Sequence, residues 1–237
     1  MAEYELARRL AVRKAAEQIK DGYAVGLGSG STIADGIAEM AIMMKERNLK
    51  ALFIPTSHQI ELAAVKHGLK LGLLTEYPEP DLAIDGADQV DEQLNLIKGG
   101  GAALMREKVV DASARRLLIV VDERKLVKRL GEQPPLPLEV LPFAHRAVMR
   151  KISKLGGKTA LREGKGKVGP IITDNGNFIL DSDFGPISDP QTLERQLKSI
   201  PGIIETGLFI DMAHSVYVAR KDGSVQVLER RVPQHSS

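Results

Sequence analysis

The stretch Tyr23-Ala24-Val25-Gly26-Leu27-Gly28-Ser29-Gly30-Ser31-Thr32, running on through Ile33 to about Glu46, decides the fold class. Its first five residues carry no charge and read as a short buried strand. The glycine and serine run reads as a loop, and the apolar periodicity after Ile33 as a helix. Upstream, Leu6, Leu10, Ala11, Ala15 and Ile19 recur at helical spacing, with Arg8, Arg9, Arg13 and Lys14 largely off that face. Residues 3–20 are therefore predicted to form a surface helix, ended by Asp21-Gly22. Downstream, strands are predicted at 51–55, 69–73, 82–84 and 117–121, with helices at about 58–67 and 102–116. Strands that alternate with helices imply an α/β fold, an open, Rossmann-like and mostly parallel sheet with helices on both faces.

The texture changes after Gly131, where Gln133-Pro134-Pro135-Leu136-Pro137 marks a boundary. A strand at 138–141, a helix at about 144–155 and a strand near 158–162 are followed by a hairpin, 171–173 and 178–180, around Asn175-Gly176. Asp189-Pro190 starts a helix that runs to about Ser199, Pro201-Gly202 stops it, and 203–206 is a further strand. This β-α-β-β-α-β order predicts a smaller α+β domain of ferredoxin-like type at 136–206, inserted near the C-terminus of a larger domain made of 1–135 plus 207–237. The segments 207–210, 215–219 and 225–228 return to the first sheet, and the residues from Val232 read as a loose tail.

A chain of 237 residues can bury a substantial core, and 33 basic against 31 acidic residues leave a formal charge of only +2. That balance argues against a nucleic-acid surface and for a small-molecule partner. The start lacks the apolar core of a signal peptide, and no long uncharged apolar stretch follows, so a soluble cytoplasmic protein is expected. The absence of cysteine removes disulfides, iron–sulfur clusters and thiol nucleophiles. His58, His67, His145, His214 and His235 show no ligand spacing and are read as structural or surface residues.

Chemistry concentrates between Asp85 and Glu107. Asp85-Gly86-Ala87-Asp88 follows a buried run, at the point where a strand opens into a loop and open α/β sheets bind ligands. Lys98-Gly99-Gly100-Gly101 adds an ammonium and three glycines whose backbone can approach a ligand closely. Glu107 falls early in the next helix, where it could equally be an ordinary partner of the helix dipole, Arg106 or Lys108. Asp91 reads as solvated loop charge. The Ser29, Gly30, Ser31 and Thr32 loop has the donors to hold an anion at a helix N-terminus, or else a simple capping role. Lys125, after the strand at 117–121, stands at the same end of the sheet. Lys98 among the aspartates argues against a required metal.

These pieces, together with Pro137-Leu138-Glu139-Val140 and Thr173-Asp174-Asn175-Gly176-Asn177, resemble in order and across nearly the whole chain the type A ribose-5-phosphate isomerases. The resemblance implies a cofactor- and metal-free isomerase of ribose 5-phosphate and ribulose 5-phosphate in the pentose phosphate pathway, working through an enediolate as a homodimer or homotetramer. It implies Glu107 as general base, Asp85 and Asp88 on hydroxyl protons, Lys98 with the glycine amides on the oxyanion, and Ser29 to Thr32, Asp85 to Asp88, Lys98 to Gly101 and Lys125 around the substrate. Two departures stand out. Ser29 replaces the family's frequent threonine, and Gln89 replaces a glutamate, removing one charge beside the site. The alternatives are a sugar-phosphate-sensing domain, for which no room precedes the first helix, and a coenzyme A transferase of related fold.

Overall fold

The computed structural model describes residues 2–133, 135–164, 166 and 168–230. Pro134, His235 and the tail from Val232 lie outside the described residues. Helix α1 (Ala2–Ala16) leads to β1 (Ala24–Leu27), α2 (Ser31–Glu46), β2 (Leu52–Pro55), α3 (His58–Lys66) and β3 (Leu82–Gly86). Two short strands, β4 (Gln89–Val90) and β5 (Leu96–Ile97), precede α4 (Leu104–Ser113) and β6 (Leu117–Asp122). Then come β7 (Leu136–Val140), α5 (His145–Lys154), β8 (Lys158–Leu161), β9 (Phe178–Asp183), α6 (Pro190–Lys198) and β10 (Ile203–Thr206). The chain closes through β11 (Leu208–Phe209), β12 (Ser215–Ala219) and β13 (Val225–Glu229).

The main sheet has the order β13-β12-β6-β3-β1-β2, parallel throughout except for the antiparallel edge strand β13. Its inner strands β1, β3, β6 and β12 are buried on both faces, as a parallel sheet requires. In β6, Leu118 and Val120 join the core under α1, α2 and α3, while Leu117, Ile119 and Val121 join a second core on the other face with Leu96 and Phe209. A second, four-stranded sheet runs β10-β7-β9-β8 with every pair antiparallel, the ferredoxin-like order. Helices α5 and α6 seal it through Val148, Ile152 and Leu197. A small third sheet, β11-β5-β4, bridges the two.

Four expectations change. The segment at 207–210 does not return to the first sheet but pairs as β11 with β5 in the third. The strand at 69–73 reduces to one bridge, Phe53 to Leu71, because a turn at Leu73 to Tyr77 bends the chain away from β2 at once. Residues 171–173 likewise make only the bridge Ile172 to Phe178. There the chain wraps a carboxylate instead of extending: Thr173 Oγ1, Asn175 Nδ2 and Asn177 Nδ2 all donate to Oε1 of the fully buried Glu139. The buried stripe of α1 is also not the one its leucines suggest. Leu6 and Leu10 are 65% and 41% exposed, and Ala7, Ala11, Val12, Ala15 and Ala16 face inward. Small residues win because α1 packs closely on α2, where a Cβ on Gly36 would fall 2.4 Å from Val12 Cβ. The arginines follow from this approach, Arg8 meeting Asp35 at 2.9 Å and Arg13 meeting Glu46 at 2.7 Å across the two helices.

Alanine in place of glycine normally strengthens a helix interior by up to about 1 kcal/mol. At Gly36 the clash with Val12 dominates, so Gly36→Ala is expected to destabilise the protein by about 1–3 kcal/mol. A lowered urea midpoint with unchanged slope is the expected readout, and a raised midpoint would show that the helices separate at little cost.

Candidate active site

Glycines shape the site before any acid enters it. Gly26 on β1 and Gly28 just after it point to the same face. A Cβ on Gly26 would strike Val110 of α4 at 2.5 Å, and one on Gly28 would lie 1.8 Å from Asp85 Oδ1. These two glycines thus admit α4 and the Asp85 carboxylate, a role distinct from holding a phosphate. Asp85 itself lies within β3, paired with Ile119, rather than in the loop beyond.

Lys98 is the centre of the cluster. It leaves β5 with its N–H on the Gly207 carbonyl, and its ammonium is 2.6 Å from the Gly86 carbonyl oxygen, 2.9 Å from Asp85 Oδ2 and 3.4 Å from Glu107 Oε1. The Phe209 ring lies beneath, its centre 5.3 Å from Nζ. Asp85 Oδ1 accepts the Gly86 N–H at 2.6 Å, and Glu107 Oε1 accepts the Ser29 N–H at 3.3 Å. Lys98, Asp85 and Glu107 are all buried.

Burial raises the Glu107 pKa to about 7; the negative charge of Asp85 adds to the rise and Lys98 opposes it. Burial likewise raises Asp85, with Lys98 pulling the other way. For Lys98 burial disfavours the ammonium, but Asp85, Glu107 and Asp111 outweigh it and its pKa is raised, so the lysine stays charged. For Glu107 the sign is unfavourable to stability. The folded chain holds a proton that the unfolded chain releases, so its contribution declines as pH climbs from the ordinary glutamate range through about 7.

A pocket of about 90 Å³ opens over this cluster, lined by Ser29, Gly30, Ser31, Thr32, Gly86, Ala87, Asp88, Lys98, Gly99, Gly100, Gly101, Glu107 and Lys125. Larger hollows lie elsewhere, one of about 530 Å³ beside Phe53 and Leu69 and one of about 1350 Å³ lined by Asp91, Glu92, Lys128 and Glu229, but among the described residues neither contains a buried lysine. The structure therefore gathers every residue expected around a substrate except Asp85, which sits behind Lys98 with no exposed surface. Asp88 does reach the pocket, accepting the Gly100 N–H at 2.7 Å with Lys125 4.0 Å away. Ser29 turns its hydroxyl inward, to Thr56 Oγ1 at 2.8 Å and Ser57 Oγ at 2.6 Å, leaving the hydroxyls of Ser31 and Thr32 on the more open side. Neither hydroxyl caps α2; Gly30 stands at the N-cap with φ 89° and makes no side-chain cap bond, its own N–H donating to Gln59 Oε1 at 3.2 Å.

The glycine run divides by cause. Gly99 has φ 107° and packs under Leu104 and Pro137, whereas a Cβ on Gly100 would press on Asp88 Oδ1 at 2.8 Å. Only Gly101 has open space around its missing Cβ. Gln89 is not beside the pocket, since its Oε1 accepts the Gly131 N–H at 2.8 Å in the interior. Asp91 is no solvated charge either; its carboxylate takes the N–H groups of Gln93 and Asn95 and folds their turn. Arg106 and Lys108 turn away from Glu107, Arg106 to Asn175 at 2.7 Å and Lys108 to Glu205 at 2.8 Å. Among the described histidines, His214 accepts the Leu117 N–H at 3.1 Å, and burial lowers its pKa. Among the described residues no three His, Asp or Glu side chains are grouped to hold a metal ion, and no helix is long and apolar enough to cross a membrane. Asp111, one turn beyond Glu107 on α4 and buried against Asp85, was missed because a lone acid inside a helix carries no sequence signal.

Fold and pocket define an α/β protein of the acid–base class, with a buried carboxylate and ammonium at the carboxyl edge of a parallel sheet, beside an uncapped helix N-terminus suited to an anion. The family model of ribose 5-phosphate isomerase A (phosphoriboisomerase A) matches residues 52–223. The chain is 48% identical to the ribose-5-phosphate isomerase A of Methanosarcina acetivorans over 94% of each chain, and 45% identical to the human ribose-5-phosphate isomerase over 97% of this chain and 75% of that one. The solved structure of ribose 5-phosphate isomerase A from Methanocaldococcus jannaschii superposes with a TM-score of 0.91 at 42% identity, covering 95% of this chain and 99% of that one. A D-ribose-5-phosphate isomerase in complex with phospho-erythronic acid superposes equally well, at 0.91 and 42% identity, covering 94% and 98%. The chain belongs to the ribose 5-phosphate isomerase A family.

In a carbon-13 carboxyl titration followed by NMR, Glu107 is expected to titrate with a midpoint of about 7. Lys98→Met should move that midpoint upward, because the ammonium favours the carboxylate. A midpoint in the ordinary glutamate range would show that water enters the cluster.

Proposed function

We propose that Glu107 is the base that carries a proton between C2 and C1 of an open-chain sugar phosphate, with the rest of the pocket binding the sugar. The reaction is the aldose–ketose isomerisation of D-ribose 5-phosphate and D-ribulose 5-phosphate through an enediolate. One observation carries the assignment: a carboxylate buried beside an ammonium, with a pKa of about 7, facing a pocket at the sheet's carboxyl edge. A base with that pKa is half ionised near neutrality and still strong enough to take a carbon-bound proton, the balance on which general-base catalysis depends.

The steps follow from the geometry. Glu107 takes the C2 proton of the aldehyde form, and the electron pair left at C2 forms the C1–C2 double bond while the C1 carbonyl oxygen becomes anionic. Lys98 stabilises that oxygen together with the N–H groups of the glycine loop. The ammonium becomes available as Glu107 turns neutral, because the 3.4 Å contact between them then loses its charge attraction. Glu107 next returns the proton to C1. The O2 hydroxyl proton must reach O1 by another path, and Asp88, in the pocket and bonded to the Gly100 N–H, serves it. Asp88 also serves opening of the furanose ring, while Asp85 acts from behind by fixing Lys98. Preorganised donors of this kind each contribute roughly 3–4 kcal/mol to stabilising a developing oxyanion.

The phosphate has a place at the uncapped N-terminus of α2, where Ser31, Thr32 and Lys125 line the pocket. Phospho-erythronic acid in the related isomerase supports this reading, since it joins a phosphate to a carboxylate whose charge resembles the enediolate's. In the same reading the catalytic unit comprises 1–135 with 207–237, the smaller unit 136–206, and the protein works in the cytoplasm as a homodimer or homotetramer without cofactor or metal.

Glu107→Gln is expected to lower kcat by about 10²–10⁴-fold with little change in KM or thermal stability. Turnover like that of the wild type would remove Glu107 as the base. Incubating the pure protein with ribose 5-phosphate and a chelator should yield the ketose at the rate found without chelator. A sensor would bind without turnover and a transferase would need an acyl donor, while activity lost to the chelator and restored by magnesium would overturn the metal-free mechanism.

A further inference from the structure

The cluster around Lys98 holds one carboxyl more than the mechanism uses. Asp111 lies four residues after Glu107 on α4 and is 3% exposed. Both of its oxygens are fully buried and, among the described residues, accept no hydrogen bond from any N–H or O–H donor. Its polar neighbour within hydrogen-bonding reach is Asp85, another carboxylate. Two carboxylates that close, with no other donor at one of them, require a proton between them.

Charge points the same way. Asp85, Glu107 and Asp111 surround a single ammonium, so full ionisation would leave an uncompensated double negative charge in a dry interior. Asp85 has the Gly86 N–H and the ammonium, and Glu107 has the Ser29 N–H and the ammonium. Asp111 has neither. The charged groups acting on it are Asp85 from β3, Lys98 from the loop after β5 and Glu107 from its own helix. The neighbouring α4 charges are engaged elsewhere, Arg106 with Asn175 and Lys108 with Glu194 and Glu205.

We propose that Asp111 is a neutral carboxylic acid that donates its proton in a hydrogen bond to Asp85, and so is a positioning residue that keeps Asp85 ionised against Lys98. This rests on Glu107 as the base only in its consequence: a neutral Asp111 spares Glu107 a further repulsion that would hold it protonated at neutral pH. Burial and the Asp85 charge both raise the Asp111 pKa well above the carboxylate range.

The infrared spectrum tests the protonation itself. Above the Glu107 midpoint, the difference between wild type and Asp111→Asn should contain the deuterium-sensitive C=O stretch of a protonated carboxylic acid. Its absence overturns the proposal whatever the kinetics show, and its presence stands even if Glu107→Gln remains active. The kinetic test compares two variants. Asp111→Ala, which removes the donor, should lower kcat by about tenfold and move the acid limb of the kcat/KM profile to higher pH as Asp85 gains proton affinity. Asp111→Asn, which keeps an N–H donor, should recover most of that loss with the limb where the wild type has it. If Asp111 is instead ionised, both variants remove a negative charge and the limb moves to lower pH, by about one unit. Should the alanine variant fail to fold, the infrared band and the asparagine limb decide alone.

Discussion

A lysine ammonium with almost no access to water is the constraint around which this molecule is organised. Lys98 is 2% exposed, and a buried charge of that kind is tolerated only where other groups replace its hydration. The replacement comes from the Gly86 carbonyl oxygen, Asp85 and Glu107, and each demands something of the chain. Asp85 fits on β3 because residue 28, just beyond the adjacent strand, is glycine. Glu107 comes within reach because Gly26 lets α4 lie close to the sheet. Lys98 is aimed by β5 and β11, whose Phe209 supplies an aromatic floor. One charge thus fixes the spacing of two strands, a helix and the bridging sheet.

The ferredoxin-like sheet contributes no residue to the pocket lining, yet it holds two of the pocket's walls. Glu139, buried under three side-chain donors, folds the turn at 173–177 into a rigid knob. That knob grips the large sheet's helices: Arg106 of α4 donates to Asn175 Oδ1 and the Asp174 carbonyl, and the His58 N–H at the start of α3 donates to Asp174. Arg162, itself held by Asp181, donates to the carbonyl oxygens of Gly99 and Gly100 at 2.8 and 3.0 Å. An arginine that satisfies two loop carbonyls turns the opposite face of those peptides, with their N–H groups, to a fixed position. Preorganisation of the glycine loop therefore depends on a sheet that lines none of the pocket.

The parallel sheet was legible because uncharged five-residue runs, such as Leu117 to Val121, have one plausible destination in an α/β chain. The pocket was legible because its residues fall at strand ends and glycine loops, where sequence signals are strongest. What escaped the sequence has a common physical cause. Leu6 and Leu10 look like a core stripe, but helix proximity selects alanines, and proximity is a property of the partner helix rather than of the stripe. Asp85 and Asp88 look alike three positions apart, yet β3 ends between them, so one is sealed under Lys98 and the other reaches the pocket. Thr173, Asn175 and Asn177 read as a hairpin turn because their common partner, Glu139, lies more than thirty residues earlier.

The same distinction bears on how the site can work at neutral pH. A base that abstracts a carbon-bound proton must be desolvated enough to be strong and still be ionised a fair part of the time. Burial alone would drive Glu107 too high, and the nearby Asp85 charge pushes in the same direction. Lys98 offsets both, but it must share its charge with Asp85 to do so. The 2.9 Å contact to Asp85 is tighter than the 3.4 Å contact to Glu107, which leaves the ammonium committed to the aspartate and only lent to the glutamate. An ammonium held in that unequal way can turn from Glu107 toward a developing oxyanion without leaving its anchor. In the proposed mechanism, symmetric contacts would bind the lysine equally to the base it has to release. The asymmetry is set by backbone, through the Gly86 N–H on Asp85 and the Ser29 N–H on Glu107, and so it is present before any sugar arrives.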